Sequence, residues 1–161
     1  MIAPLLELWV SGIPQPQGSK RLFGGRLVEG NDKTLRPWRA TIAGEARHKF
    51  VNNSSESREP TTDAVFVTLG FMFARPKSHY GSGRNSHEIK RSAPAYKSTR
   101  PDLDKLVRAV LDALTGIVFV EDSQVAGLSA WKDWGPPGVA IRVEFADVFS
   151  RAAIEGIGTA A

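Results

Sequence analysis

Between Val65 and Phe73 every second residue is large and apolar: Val65, Val67, Leu69, Phe71 and Phe73. A period of two places such a set on one face of an extended chain. The spacing predicts a β-strand with one face in a core, and it requires other elements to cover that face. Two stretches have a helical period instead. Trp38, Ile42, Ala46 and Phe50 recur every four residues. They predict an amphipathic helix from about Pro37, with proline at an early helical position, to the polar run 52–55. Leu103, Leu106, Val107, Val110, Leu111 and Leu114 form a second stripe, opened by Pro101 and stopped by Gly116.

The remaining signals are shorter. Segment 5–10 reads as a first strand, ended by Ser11-Gly12 and by Pro14 and Pro16. The Gly- and Arg-rich stretch 18–26 reads as a loop or short hairpin. Segment 117–120 reads as a short strand, and 125–131 and 139–145 as closing strands around Gly135-Pro136-Pro137-Gly138. The order β, α, β, long loop, α, β, β predicts a single α+β domain over 1–149, with a small mixed β-sheet packed with two main helices. The small-residue tail 150–161 is expected to fray. Stretch 75–98 has no period and is rich in Gly, Ser, Pro, Lys, Arg and His. Its composition suits a flexible arm that orders on a nucleic acid.

With no cysteine in 161 residues, disulfides and thiolate metal sites are excluded. The longest apolar run, 64–74, is far too short to span a bilayer, so no membrane partner is expected. No basic segment precedes an apolar stretch at the N-terminus, so a cytoplasmic location is expected. The net charge of +4 hides a segregation. Residues 20–49 hold eight Lys or Arg against three acids, and 75–108 hold nine against three, giving +5 and +6. The rest of the chain therefore carries −7. Such a distribution predicts a basic surface facing a polyanion. Lys20, Arg21, Arg75, Lys77, Arg84, Lys97, Arg100 and Lys132 are the candidates for phosphate contacts.

Asp102, Asp104, Glu121 and Asp122 are the informative acids. Asp102 and Asp104 would point apart in a regular helix. They can converge only if Asp102 lies at the boundary, where Pro101 places it. Acids at a helix start also occur simply because they cap free N–H groups and complement the dipole, and Glu121-Asp122 is also an ordinary turn. Together, however, they supply the hard oxygen ligands with which a cation activates water and offsets phosphate charge. The expectation is a cage of three or four carboxylates drawn from Asp102, Asp104, Glu121 and Asp122. A basic surround would draw in the DNA.

These residues resemble the RusA family of Holliday junction resolvases, particularly the phage and prophage versions. The resemblance rests on Arg100-Pro101-Asp102-Leu103-Asp104-Lys105-Leu106, on Asp112-Ala113-Leu114-Thr115-Gly116 and on Glu121-Asp122-Ser123-Gln124-Val125. Gly12-Ile13-Pro14 and Gln17-Gly18-Ser19-Lys20-Arg21 look like the family's opening segment. It implies a homodimer in a bacterial or phage-infected cell that makes paired, Mg²⁺-dependent nicks in four-way junctions or other branched DNA. Mn²⁺ is a possible substitute, and no organic cofactor is implied. The family's catalytic aspartates map onto Asp102, Asp104 and Asp122. Its lysine one turn after the second aspartate is Arg108 here, and the frequent Asn directly after that aspartate is Lys105. Both are expected to steady phosphoryl charge, although arginine does not shed a proton as lysine can.

Other residues weigh less. His79 and His87 lie in the basic loop, and His48 suits a helix C-terminus. Trp38 reads as core, whereas Trp131 and Trp134 read as candidates for stacking on bases, with Trp134 the more exposed. A DNA-binding protein without nuclease activity is the main alternative, and it would keep the basic loop while ignoring the aspartates. An enzyme acting on nucleotides is disfavoured by the lack of a Gly-rich phosphate loop.

Overall fold

The strand Val65–Phe73 (β4) is an interior strand of a four-stranded sheet in the computed structural model, which describes residues 4–18, 20–30, 32–51 and 58–146. Across the sheet the order is β1 (Leu6–Ser11), β6 (Gly138–Phe145), β4, β5 (Val125–Trp134). β6 pairs antiparallel with both β1 and β4, whereas β5 pairs parallel with β4 and forms an edge. A parallel pair needs a crossover connection. Here that crossover is the loop after β4 followed by helix α2 (Leu103–Leu114). The Gly-Pro-Pro-Gly turn therefore joins two strands that are not neighbours, with β4 between them.

Alternation decides the two faces. Val65, Val67, Leu69, Phe71 and Phe73 are all buried, together with Val139, Ile141 and Val143 of β6 and Leu6 and Val10 of β1. Helix α1 (Asp32–Val51) and α2 cover this face and pack on each other. On the uncovered face, aromatic rings lie on glycines. A Cβ on Gly70 would come within 2.8 Å of the Trp131 ring, one on Gly127 within 1.9 Å of Phe66, and one on Gly138 within 2.2 Å of Trp9.

The α+β class and the pairing of one mixed sheet with two helices agree with the sequence, and several boundaries differ. α1 begins at Asp32, so Pro37 lies inside the helix rather than at its start. Leu35, 1% exposed, carries the buried stripe back one turn from Trp38, and this burial outweighs the hydrogen bond that Pro37 cannot donate. Residues 18–26 fall in a hairpin of β2 (Lys20–Phe23) and β3 (Arg26–Glu29). Gly24 and Gly25, at φ +56° and +78°, make the two-residue turn that suits the twist of such a ribbon. Segment 117–120 is not a strand. Ile117, Val118 and Phe119 are buried in a turn after α2, and the amides of Ile117 and Val118 both donate to the Leu114 carbonyl.

Loop 75–98 is held by bonds within itself. It contains two short 3₁₀ turns, Lys77–His79 and Gly83–Asn85, and a bridge between Tyr80 and Ile89. Gly81 N–H donates to the Glu88 carbonyl at 2.9 Å, and Lys90 N–H to that of His79 at 2.9 Å. The expected stop of α1 at 52–55, the domain limit at 149 and the tail 150–161 lie outside the described residues. Among the described residues, no helix is long and apolar enough to cross a membrane.

Candidate active site

Asp102 occupies the N-cap of α2 with extended backbone angles, φ −69° and ψ 138°. The boundary geometry required by the Asp-x-Asp spacing is therefore present. Its carboxylate makes no capping hydrogen bond and instead lies 3.2 Å from Lys105 Nζ. Both side chains are about half exposed, so this pair adds little to stability. Capping does not consume the carboxylate.

Asp104 projects from the first turn into a groove of about 460 Å³ between α2 and the edge strand β5. Leu103, Val107, Arg108 and Leu111 form its helical wall and Leu128 and Ala130 its strand wall, and Asp122 also lines it. Arg108, one turn after Asp104, thus shares the groove with both acids. Asp112, one turn further, instead accepts a hydrogen bond from Arg39 of α1.

Asp104 and Asp122 enter the groove from opposite ends. Lys132, near the C-terminal end of β5, binds the carbonyls just before α2, so the helix runs antiparallel to the strand. Asp122 precedes the start of β5 and so belongs toward the C-terminal end of the helix. From Asp104 to the end of α2 the helix rises about 15 Å. Among the described residues no three His, Asp or Glu converge as a metal cage. The carboxylates of Asp102, Asp104 and Asp122 are therefore not assembled into a cage in this chain. What does fit is a largely hydrated Mg²⁺ at the Asp102–Asp104 end, since that ion takes one or two carboxylates with waters and phosphate oxygens as its other ligands.

The Glu121 carboxylate is also engaged within its own turn. Its carboxylate takes part in a capping box with Gln124 and accepts from the Ser123 hydroxyl at 3.3 Å. Gln124 is the important residue of this turn, and the sequence marked it only as part of a motif. Its Nε2 donates to the carbonyls of Thr61 (2.8 Å) and Asp63 (3.0 Å), and its Oε1 accepts from Glu121 N–H at 2.8 Å. The turn carrying Asp122 is thereby fixed to the chain entering β4. Gln17 has a comparable role at the other end, where its N–H donates to the Lys105 carbonyl at 2.9 Å. That bond ties the segment leading into the β2–β3 hairpin, which carries Lys20 and Arg21, to the start of α2. The side chains of Lys20 and Arg21 lie outside the described residues.

The remaining basic candidates divide. Lys77, Arg84 and Arg100 are exposed, as a phosphate contact requires. Arg75 is committed to its own loop: it donates to the carbonyls of Pro94 (2.9 Å) and Ala95 (3.4 Å) and lies over the Trp134 ring. Lys97 is the clearest correction, being only 9% exposed. Its ammonium donates to Thr99 and Arg100 and lies over the rings of Phe73 and Trp134. Burial, with Lys132 close by, holds its pKa below the ordinary 10.5. Lys132 bonds Thr99 and Pro101 rather than facing outward. Trp134 is half-buried beneath Arg75, Lys97 and His79 and is no exposed stacking platform. Trp38 is in the core, as its period predicts, while Trp131 is 45% exposed.

The family model described as Endodeoxyribonuclease RusA matches residues 13–144, spanning the hairpin, both helices and three of the four strands of the sheet, β4, β5 and β6. No match is found among curated proteins.

Proposed function

Because the chain belongs to the RusA endodeoxyribonuclease family, we propose that it nicks branched DNA, four-way junctions foremost, in a Mg²⁺-dependent reaction serving recombination and repair. The observation that carries this reading is the start of α2. Asp102 holds the N-cap without capping, and Asp104 opens onto a groove that also contains Arg108. A helix that used these acids only for its own stability would bond at least the first of them to its free N–H groups.

Asp102 and Asp104 would hold the ion, which when bound lowers the pKa of a water and offsets phosphate charge. Lys105 then exchanges its partner Asp102 for a phosphate oxygen, and Arg108 donates to the phosphoryl oxygens within the groove. Exposed Lys77, Arg84 and Arg100, with Lys20 and Arg21 of the hairpin, hold the backbone of the arms. Mn²⁺ would serve in place of Mg²⁺, since the donors are carboxylate oxygens.

Paired nicks in a twofold-symmetric junction call for two sites related by a twofold axis, and hence for a homodimer. A dimer also accounts for the distance between the acids. Asp122 forms no three-acid cluster with Asp102 and Asp104 of its own chain. Asp122 of the partner subunit would complete the site instead. Leu128, half-exposed on the edge strand beside the groove, suits such a contact.

A gel assay of a labelled synthetic four-way junction, with and without Mg²⁺, tests the function directly. Paired nicks that need the ion and vanish in Asp104→Asn are expected. Tight binding without cleavage under any divalent ion would leave a DNA-binding protein with no nuclease activity.

A further inference from the structure

The backbone just before Asp102 is irregular, and two lysines hold its carbonyls. Lys97 Nζ donates to the Thr99 carbonyl (3.2 Å), to the Thr99 hydroxyl (2.6 Å) and to the Arg100 carbonyl (2.5 Å). Lys132 Nζ reaches across from β5 to the Thr99 and Pro101 carbonyls, both at 2.8 Å. Every carbonyl from residue 99 to 101 thus accepts from an ammonium, and that of Thr99 accepts from two. Two like charges converge there although each disfavours the other, and Lys97 is buried as well. Such an arrangement is costly unless the hydrogen bonds it makes are needed.

We propose that Lys97 and Lys132 are positioning residues that clamp segment 99–101 and so fix how Asp102 and Asp104 present their carboxylates. The clamp rests on the reading of those aspartates as the ion's ligands. It has two anchorages. Lys132 belongs to β5 and pairs with Phe71 of β4, two positions before Trp134 pairs with Phe73. Lys97 is seated on the rings of Phe73 and Trp134, 5.0 and 5.4 Å from their centroids. The sheet therefore dictates the geometry of a segment that has no secondary structure of its own. Asp102 leaves the clamp at an extended N-cap, and Asp104 follows one residue into the helix. Outer partners that orient a metal's ligands typically change metal affinity or activity by about 10–100-fold when removed. Neither lysine in this role touches DNA.

The test uses the full chain and Mn²⁺ as the probe, with free Mn²⁺ counted by electron paramagnetic resonance. Wild type, Lys132→Met, Lys132→Arg and Lys97→Met are compared for Mn²⁺ affinity and for metal-free binding to a four-way junction. Lys132→Met is expected to weaken Mn²⁺ binding by about 10-fold or more and to leave metal-free junction binding within about twofold. Lys132→Arg keeps two donors for two carbonyls and is expected to recover most of the loss. A merely structural lysine would not give that split. If Lys132→Met melts too early to assay, Lys132→Gln takes its place, keeping an amide donor. Mn²⁺ affinity unchanged in both Lys132→Met and Lys97→Met would overturn the clamp alone, as would a loss of metal-free junction binding equal to that of a phosphate contact. A wild-type chain that binds no Mn²⁺ would overturn the metal reading itself, and the clamp with it.

Discussion

Arg39 of α1 donates through one Nη2 atom to Asp112 of α2 and to Gln17 of the N-terminal segment. Three separate parts of the chain meet at that guanidinium. The pairing divides an acidic helix face in two, because Asp104 opens on the groove while Asp112 is committed to Arg39. Asp104→Asn is expected to lower junction cleavage by about 10²-fold or more with little change in metal-free binding. Asp112→Asn is expected to retain most of the cleavage and to lose no more than about 1 kcal/mol of stability, since the pair is partly exposed. Single-turnover cleavage and urea melts of both variants check this, and equal damage from the two would dissolve the distinction.

Mixing subunits tests the shared site. Asp104→Asn and Asp122→Asn chains, each inactive alone, are expected to regain Mg²⁺-dependent nicking when co-refolded. A mixed dimer would contain one site with both acids intact. Its products should be single nicks rather than paired ones. No recovery on mixing would place each site within one chain.

Gln124→Ala removes a side chain that donates to two carbonyls and accepts one N–H. Only the bond to Thr61 is partly buried, so the loss amounts to about 0.5–1.5 kcal/mol. Thermal unfolding is expected to fall by several degrees, and cleavage to fall with it because Asp122 loses its support. An unchanged melting temperature would show that the turn holds itself.

Salt dependence separates the basic residues. Arg100→Ala, Lys77→Ala and Arg84→Ala should each lower the slope of log affinity against log salt by about 1. Lys97→Met should leave that slope as it is. A reduced slope for Lys97→Met would return that residue to the phosphate contacts.

The lowered pKa of Lys97 gives a signed prediction. Between its folded value and 10.5 the unfolded chain binds more protons at this residue than the folded chain does. Stability from this group therefore rises with pH through that window and levels off above 10.5. The difference in unfolding free energy between wild type and Lys97→Met should grow in favour of wild type as alkaline pH is approached. A difference that stays flat or shrinks would contradict a desolvated ammonium.

Much of the architecture is legible from period alone. Strand β4 and helix α2 are both marked by apolar residues whose spacing matches a single buried face. The start of α1 is less so, because Pro37 resembles a helix opening and only the burial of Leu35 against the core extends the stripe. The placing of β4 between β5 and β6 depends on long-range pairing, and nothing local in Gly-Pro-Pro-Gly signals it. At the site, the sequence marks the acids but not their distances. Asp102 and Asp104 are set by a helix boundary a few residues long, whereas Asp122 is set by Gln124 reaching back to Thr61. Lys97 resembles any basic loop residue until the carbonyls of 99–100 and the rings of Phe73 and Trp134 close around it.

The rings of Trp9, Phe66 and Trp131 lying on bare glycine backbone give the uncovered side of the sheet a partial roof without a second layer of helices. Gly70, Gly127 and Gly138 are consequently as intolerant of a methyl group as a core position is of a cavity. Each extra Cβ would lift a ring off the sheet and wet the strands beneath. Mutational tolerance on that side should therefore run opposite to side-chain size, with the smallest residues the least replaceable.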